Sequence, residues 1–384
     1  MAKIINLNEV DNRLSVKYDK RNEVMNWGAD NAYPSLVKAL INTSVTSTQC
    51  LSINAKYVYG KGFALKNANT LIVNKQGQTL NNILRIASKD FEEINNLFLH
   101  VNWNANFEIT SVKILPSTHV RIGKKDSEDY NGKYVVYNNW DKSKLKLIQK
   151  KDFAVIDRFN PNKKVIESQV TSAGGWKNYK GQIIHINKDF TDTYSVSPLD
   201  AVMLDADAEY QSSIFTNNGF KKGFFNNKIL VVKPFTDDNE RHEFKTTIEQ
   251  MQGGENTSSV LLLEAENPSE DLKEQFLLEN IDNNVDDKIF QYSDEKISNN
   301  IRKAFGVPSI LIDNSDNSIF GQSGELLKTA MLQHWMNKDE ERMIIEETFQ
   351  KIFNYWHEEI DVNQLVIKEI IKKDEINTTG EQIN

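Results

Sequence analysis

Few residues in this sequence stand in a pattern that performs catalysis. His242-Glu243 and His357-Glu358 each begin a His-Glu pair, but neither pair is followed by the second His that a zinc protease helix places one turn later. Ser323, in FGQSGE, differs by one residue from a nucleophile elbow and follows a polar run where a strand is needed, so it is predicted to cap a helix. None of these motifs predicts a reaction.

The glycines, histidines and cysteine add no further chemistry. Gly60 and Gly62, in YGKGF, lack the rest of a phosphate-binding pattern and are predicted to end a helix. The six histidines include no pair four residues apart, and His185, within QIIHI, is predicted to be a buried strand residue. Cys50 falls on the apolar side of a helical pattern, as a small core residue would. We therefore expect no catalytic residue, no metal site and no cofactor, and we do not expect an enzyme.

A polar run between two helical patterns is a stronger candidate for function. The pattern ISNNIRKAF stops at Gly306-Val307-Pro308, and a second helical pattern begins near Ser323. Residues 312–322 between them contain no Lys or Arg, so contact with a nucleic-acid backbone there would use neutral groups or water. The polar residues of this loop are Asp313, Asn314, Ser315, Asp316, Asn317 and Ser318.

The composition limits the class of protein. A chain of 384 residues with 39% hydrophobic and 10% aromatic residues is long enough for two or three domains with buried cores. It has no run of 18 apolar residues and no signal-peptide pattern at its start, so we expect no membrane span and a cytoplasmic setting. The net charge of −8 excludes a broad basic face for DNA phosphates, and any contact with nucleic acid is expected to be weak or local.

Hydrophobic periodicity predicts an α+β first half. Helices are predicted over 34–58 and 80–98, and short alternating runs between 106 and 187 predict an antiparallel β region. In the second half, Ser197 as an N-cap before a proline predicts a helix that ends near Gly219.

A small insert and a long helix are predicted farther along the chain. The strand KILVVKPF, a helix over 237–252 and the strand SSVLLLEAE predict a β-α-β insert, and helix resumes at about 285–305. Apolar residues at helical spacing over 323–358 predict one helix of about 35 residues, roughly 50 Å long. Trp335 and Trp356 lie on its apolar stripe and are predicted to anchor a core or an interface.

Four segments of the second half follow one another in a recognisable order. They are GQIIHINKDFTDTYSVSPLDAVM (181–203), FTNNGFKKGFF (215–225), SSVLLLEAENPSEDL (258–272) and NNIRKAFGVPSILI (299–312). The first is a strand that ends in His before an irregular turn into Ser-Pro-Leu. This ordered set resembles the portal proteins of tailed bacteriophages, of the kind found in long-tailed phages with a compact portal. The resemblance covers about residues 180–356, with a looser similarity over 30–180.

The resemblance implies a portal fold of the α+β class, in which an α/β wing, paired stem helices that flank a β-α-β clip, and a long tunnel helix follow in order. It also implies a ring of twelve copies at one capsid vertex, through which the genome is packaged and later ejected. Carried onto this sequence, the parts are the wing 1–196, stem helix 197–225, clip 226–268, stem helix 269–311, tunnel loop 312–322, long helix 323–358 and a short tail 359–384 with a small or absent crown.

The resemblance further implies the partners and their sites. The tunnel-loop residues Asp313 to Ser318 are expected to face double-stranded DNA without sequence-specific contacts. The clip is expected to bind the terminase large subunit and the head–tail adaptor, and the major capsid protein is a further partner. The protein would lie in the virion, and in the host cytoplasm during assembly. Residues expected to contact another copy are Tyr210, Ile214, Trp335 and Trp356. Residues expected to bind the clip's partners are Lys233, Asp237, Asp238, Arg241 and Glu249.

Two other classes of protein stay open at this point. One is a different head–tail component, such as an adaptor or a tail protein, although adaptors are usually far shorter than a chain with a long helix and two stem helices. The other is a nucleic-acid-processing enzyme, which would need a carboxylate cluster for a metal ion that the sequence does not reveal.

Overall fold

The computed structural model describes residues 16–123, 132–140, 152–191, 193–222, 227–232, 237–250, 252–253, 256–257, 259–264, 277–280, 287–312 and 323–370. The chain divides into two compact units. Unit 1 comprises Met1–Ala206 and Asn300–Asn384, and unit 2 comprises Asp207–Asn299. Unit 2 is therefore an insertion in the sequence of unit 1.

Helices and strands are both abundant, as the predicted α+β class requires. The helices are α1 (Tyr33–Thr43), α2 (Val45–Tyr59), α3 (Leu80–Ile94), α4 (Lys163–Ser172), α5 (Met203–Lys222), α6 (Asp238–Gln250), α7 (Asp287–Phe305), α8 (Ser323–Asn337) and α9 (Asp339–Phe353). The strands are β1 (Tyr18–Asp19), β2 (Val24–Met25), β3 (Asn96–Trp103), β4 (Ile109–Leu115), β5 (Val120–Ile122), β6 (Lys133–Val136), β7 (Ala154–Arg158), β8 (Gln182–Asn187), β9 (Asn227–Val232), β10 (Gln252–Gly253), β11 (Asn256–Thr257), β12 (Ser259–Glu264) and β13 (Leu277–Asn280). Short 3₁₀ turns cover Pro198–Val202, Ser309–Leu311 and Val362–Gln364.

The first predicted helix, 34–58, is divided in two. Ser44, between α1 and α2, has an extended backbone (φ −99°, ψ 120°), and its Oγ accepts a hydrogen bond from Ser47 N at 3.0 Å. Ser44 thus caps α2, and the prediction of one continuous helix is wrong because a serine that bonds the backbone ahead favours a helix start over a helix interior. As predicted, Gly60 ends α2 and Cys50 is buried.

The second predicted helix, 80–98, is too long. Helix α3 ends at Ile94 because Asn95 takes the left-handed conformation, with φ at 54°, which stops a helix. Leu97 and Phe98 therefore lie in β3, where both are fully buried.

Six strands of unit 1 form one sheet in the order β4-β3-β8-β7-β6-β5. All its pairs are antiparallel except β7 and β8, which are parallel and are joined in the chain through α4. The predicted antiparallel region over 106–187 is therefore wrong at this point. Two parallel strands need a crossover connection of a dozen or more residues, and here that connection contains α4. Asn162 caps the start of α4, because its Oδ1 accepts a hydrogen bond from Lys164 N at 3.0 Å.

The main core of unit 1 is built by side chains from α2, α3, α9 and this sheet. The rings of Phe63 and Phe349 meet there with 5.2 Å between their centroids. The described part of the predicted tail, 359–370, returns to the same core, where Lys61 N donates a hydrogen bond to Lys368 O at 3.0 Å.

The first predicted stem helix begins where the sequence indicates. Ser197 Oγ accepts a hydrogen bond from Leu199 N at 3.2 Å, and a 3₁₀ turn leads into α5. The predicted end near Gly219 is wrong, because α5 continues to Lys222. One glycine inside a helix costs only about 1 kcal/mol relative to alanine, which neighbouring helical residues can offset.

Helices α5 and α7 each include residues of both units. Within unit 1, Asn300 Nδ2 lies 3.4 Å from both carboxylate oxygens of Asp205. Within unit 2, Ser212 Oγ lies 3.5 Å from Asp294 Oδ1. Residues of α5 therefore contact residues of α7 within each unit.

Unit 2 contains the predicted β-α-β insert. Strands β9 and β12 pair in parallel, and α6 lies between them in the chain. Strand β13 pairs antiparallel with the other edge of β9, so the sheet has the order β12-β9-β13. Strand β13 (Leu277–Asn280) lies after residue 268, where the predicted clip ends, and α7 begins at Asp287, after the predicted start of the second stem helix at 269. The division into clip and stem helix stays a prediction.

Candidate functional site

The loop predicted to face DNA lies between two described flanks. Residues 313–322, which include every predicted tunnel-loop residue from Asp313 to Ser318, lie outside the described part of the chain. On the incoming side, Asn54 Nδ2 on α2 donates a hydrogen bond to Phe305 O at 2.9 Å, at the last residue of α7. Phe305 is buried, so the loop starts from a fixed place in unit 1.

On the outgoing side, the helix predicted over 323–358 is interrupted at Lys338. This residue lies between the end of α8 and the start of α9, with φ −98° and ψ 15°. The prediction of one helix of about 35 residues is therefore wrong. Lys338 is only 8% exposed, so a buried cation occupies the break.

Four buried or half-buried charged residues meet at this break, and we call them the charge cluster: Glu92, Lys188, Lys338 and Glu341. Lys338 Nζ lies 2.7 Å from Glu92 Oε2 on α3 and 3.4 Å from Glu341 Oε1 on α9. Lys188, which follows β8, places its Nζ 2.8 Å from the same oxygen of Glu341. The two acids and two lysines balance in charge, and removing one partner would leave another charge buried and uncompensated.

The pKa values of the two acids move in opposite directions. Burial raises the pKa of Glu92, and Lys338 opposes this effect without reversing it. Burial also favours a higher pKa for Glu341, but Lys338 and Lys188 together hold that pKa below its usual value. The difference follows from the geometry, because Glu341 contacts two lysines and Glu92 contacts one.

Arg342 connects α8, α9 and α2 at the same place. Its Nη2 donates to Trp335 O at 2.7 Å and to Asp339 Oδ1 at 3.0 Å, and its Nη1 donates to Tyr57 O at 3.3 Å. The guanidinium also lies over the Trp335 ring, 3.5 Å from its centroid. Arg342 therefore gives Trp335 O a second donor, in addition to Lys338 N at 3.2 Å, near the end of α8.

His334 is buried beside the charge cluster. Neither of its ring nitrogens has a hydrogen-bond partner, and its ring meets that of Tyr57 edge-on at 4.6 Å. Burial, with a contribution from Lys338, lowers the pKa of His334 to about 4. The imidazole is therefore neutral at physiological pH and adds no charge beside the cluster.

The residues predicted to contact another copy occupy two environments. Tyr210 and Ile214 are half-buried on α5. Trp335 and Trp356 are only 9% and 7% exposed, and both belong to the main core of unit 1. The sequence allowed core or interface for the two tryptophans, and the structure places both in the core. A contact of these four residues with another copy stays a prediction.

Three of the predicted clip residues lie at the start of α6. Asp237, Asp238 and Arg241 are exposed, and Arg241 Nη1 lies 3.1 Å from Asp238 Oδ1. Lys233 and the side chain of Glu249 lie outside the described residues. An exposed pair of this kind contributes little to stability, so both side chains can exchange this contact for one with a partner.

His185 lies in β8, as predicted, and is half-buried. Its Nε2 lies 3.1 Å from Asn96 Oδ1, and its ring stacks on Phe98 at 4.3 Å. Burial lowers the pKa of His185 to about 3. It lines a cleft of about 290 Å³ between β8 and α9. Across the described residues, no group of three or more His, Cys, Asp or Glu is arranged to hold a metal ion.

The helices in the described part of the chain are too short or too polar to cross a membrane.

Sequence reasoning missed the charge cluster, although one signal was present. The apolar stripe that predicts the long helix has a gap at MNKDEER, residues 336–342, between Trp335 and Met343. An unbroken stripe would place an apolar residue at 338 or 342, where the chain has Lys338 and Arg342. The gap indicates a break, but the partner on α3 is 246 positions away from Lys338 in the chain.

No protein-family model matches the chain, and no curated protein matches its sequence. Several solved structures are similar to it. A chain from the neck of a native GTA particle computed with C12 symmetry is 14% identical, with 77% of this chain and 74% of that chain covered and a TM-score of 0.45. A chain from the virion of a native gene transfer agent particle is 13% identical, with the same coverage and a TM-score of 0.47.

A portal protein is also among the similar structures. An HK97 family phage portal protein from Corynebacterium diphtheriae is 9% identical, with 76% of this chain and 82% of that chain covered and a TM-score of 0.38. The chain is thus similar to a phage portal protein, the family that the four sequence segments resemble. At these identities and TM-scores, the function of the chain has to rest on its own residues.

Proposed function

We propose that this chain is a phage portal protein, the subunit of a closed ring at one capsid vertex through which the genome enters and leaves. The observation that supports it best is the β-α-β sheet of unit 2, which lies in the chain between helices α5 and α7, and the contacts of these two helices within each unit. The predicted tunnel loop follows directly after this helix pair, and four segments that resemble portal proteins occur in the same order.

Exposed apolar side chains support assembly of the chain into a ring. Leu204 and Phe215 on α5 are 54% and 47% exposed, and Leu326 and Met336 on α8 are 62% and 61% exposed. A neighbouring copy would cover such side chains through heterologous contacts, which close into a ring when the rotation between copies allows it. Twelve copies is the expected number.

Electron microscopy in negative stain tests the ring directly. The purified chain should appear as rings with a central hole, and sedimentation should give a single large species. A chain that stays monomeric across micromolar concentrations, and in capsids as well, would contradict the proposal. Rings that form without a hole would point to a different head–tail component.

The tunnel loop 312–322 is proposed to face DNA with neutral and acidic groups. Duplex DNA carries one negative charge per roughly 1.7 Å of its axis, so a basic lining would bind it strongly and slow its movement. Replacing Asn314, Asn317 and Ser318 together by lysine should leave the ring intact, slow packaging, and give a defect that lessens as salt rises. Replacing all three by glutamine is the matched control. Normal packaging by the lysine variant at low salt would show that these residues do not face DNA.

The clip is proposed to bind the terminase large subunit during packaging and the head–tail adaptor afterwards. Asp237, Asp238 and Arg241 are exposed at the start of α6 and would take part, together with Lys233 and Glu249. A variant that lacks residues 236–256 should form rings that do not package DNA. Heads that fill normally with this variant would exclude the assignment.

The remaining partner, the major capsid protein, is proposed to surround the wing, 1–196. This places the protein in the virion, after assembly in the host cytoplasm. Pull-down of the major capsid protein by unit 1 surface variants, compared with the unchanged chain, would locate the contact. An interaction that survives every change in the wing would argue against it.

A further inference from the structure

Helix α8 is most deeply buried at its C-terminal end. Among its described side chains, residues 325–337, only His334 and Trp335 are buried. Leu326, near its start, is 62% exposed. Helix α9 differs, because it buries side chains along its whole length, from Glu341 to Phe353. The fully buried contacts of α8 thus lie at its last turn and at the break that follows, while Met331 in its middle is half-buried against the main core.

The polar contacts at that break lead to four helices. Arg342 bonds to Trp335 O on α8, to Asp339 on α9 and to Tyr57 O on α2. Among the hydrogen bonds and ion pairs of the described residues, the one that joins the break to α3 is the 2.7 Å pair between Lys338 Nζ and Glu92 Oε2.

Glu92 depends on this one lysine. Its second carboxylate oxygen, Oε1, is buried and has no hydrogen-bond partner among the described residues. Lys188 is already paired with Glu341 Oε1, at 2.8 Å. A charge-assisted hydrogen bond is directional and strong, whereas an apolar contact of the same size has no preferred direction. The ion pair between Lys338 and Glu92 can therefore fix the position of the end of α8, which apolar packing alone would not determine.

We propose that Lys338 is a positioning residue whose ion pair with Glu92 holds the C-terminal end of α8 against α3 and so fixes where α8 presents the loop 313–322. The consequence for the loop rests on the proposed portal function, whereas the attachment of α8 is a property of the folded chain alone. On the other flank, the bond from Asn54 to Phe305 O fixes the end of α7 on α2. Each flank of the loop would then be held in part by a buried polar side chain.

Hydrogen exchange measured by mass spectrometry on the full chain tests this role. Four proteins are compared: the unchanged chain, Lys338→Met, the double variant Lys338→Met with Glu92→Leu, and the matched control Lys328→Met. Lys328 is an exposed lysine of the same helix, so its loss should leave the exchange of α8 unchanged. The double variant removes both charges and keeps the pair between Lys188 and Glu341, so it leaves no uncompensated charge at α3.

The two variants separate positioning from simple stability. Lys338→Met should lower the melting temperature, because Glu92 is left buried without its cation. The double variant should recover most of that loss. In both proteins the amides of α8 should exchange roughly tenfold faster or more, as the loss of one charge-assisted hydrogen bond predicts, while the amides of α3 and α9 in the double variant keep the rates of the unchanged chain.

Two results would overturn the proposal. If α8 in the double variant exchanges as slowly as in Lys328→Met, an apolar pair holds the helix equally well and Lys338 has no positioning role. If α3 and α9 in the double variant exchange as fast as α8, or the protein does not fold, the pair supports the whole core and not α8 in particular. Neither result depends on ring formation, so a failed ring experiment and a failed exchange experiment can be told apart.

Discussion

Replacing His334 by leucine is expected to protect the folded chain against mild acid. The imidazole is buried, neither nitrogen has a hydrogen-bond partner, and burial lowers its pKa to about 4. In the unfolded chain the same group would titrate near pH 6.5. Between these two pH values the unfolded chain binds the proton and the folded chain does not, so stability is lost as the pH falls through this window.

The size of the effect follows from the two pKa values. The pKa of His334 is about 4 in the folded chain and 6.5 in the unfolded chain. At about 1.4 kcal/mol for each pKa unit, this difference contributes about 3 kcal/mol to the free energy of unfolding. The whole contribution is present above pH 6.5 and is lost at about pH 4. His334→Leu removes this dependence, and it also removes two buried nitrogens without partners, so the variant should be at least as stable as the unchanged chain at pH 8.

Urea unfolding followed by tryptophan fluorescence at pH 8, 6, 5 and 4.5 measures the effect. The difference in unfolding free energy between His334→Leu and the unchanged chain should grow in favour of the variant as the pH falls, by about 2 to 3 kcal/mol. The other histidines are present in both proteins and cancel in this difference. His242→Leu, at an exposed position of α6, is the control and should follow the unchanged chain. Parallel curves for His334→Leu and the unchanged chain would refute the reasoning.

Four further substitutions test other parts of unit 1 by the same urea assay. Gly181→Ala should lower the free energy of unfolding by more than 2 kcal/mol, because φ is +79° and a Cβ would meet the carbonyl oxygen of Val101. Gly77→Ala, at φ +75° with open space around it, should lower it by only about 1 kcal/mol. Equal losses in the two variants would contradict the contact with Val101. Asn54→Ala should cost about 1 to 2 kcal/mol through the lost bond to the end of α7, and an unchanged midpoint would show that this bond does not stabilise the chain. Trp335→Ala should lower the free energy of unfolding by about 3 to 5 kcal/mol even in a monomeric protein. A loss of stability seen only in assembled rings would indicate that Trp335 contacts another copy.

The sequence alone determined the features that depend on neighbouring residues. Three features each follow from a cap, a glycine or a short apolar run: the start of the helical segment after Ser197, the end of α2 at Gly60 and the β-α-β order of the insert. These signals act over a few residues, because a hydroxyl that accepts the next free amide or a glycine with positive φ needs no distant partner. The α+β class follows from the same patterns, since helical and strand periodicities occupy separate stretches of the chain.

Only the tertiary structure decided the features whose causes are far apart in the sequence. The parallel pairing of β7 with β8, with α4 as the connection, depends on which strand edge β8 pairs with in the folded sheet. The hydrophobic periodicity of a strand carries no information on its pairing partner. The break at Lys338 is similar. A lysine in a helical stripe is ordinarily a solvated residue, and it becomes a buried one here because folding brings Glu92 of α3 and Glu341 of α9 within reach of its ammonium group.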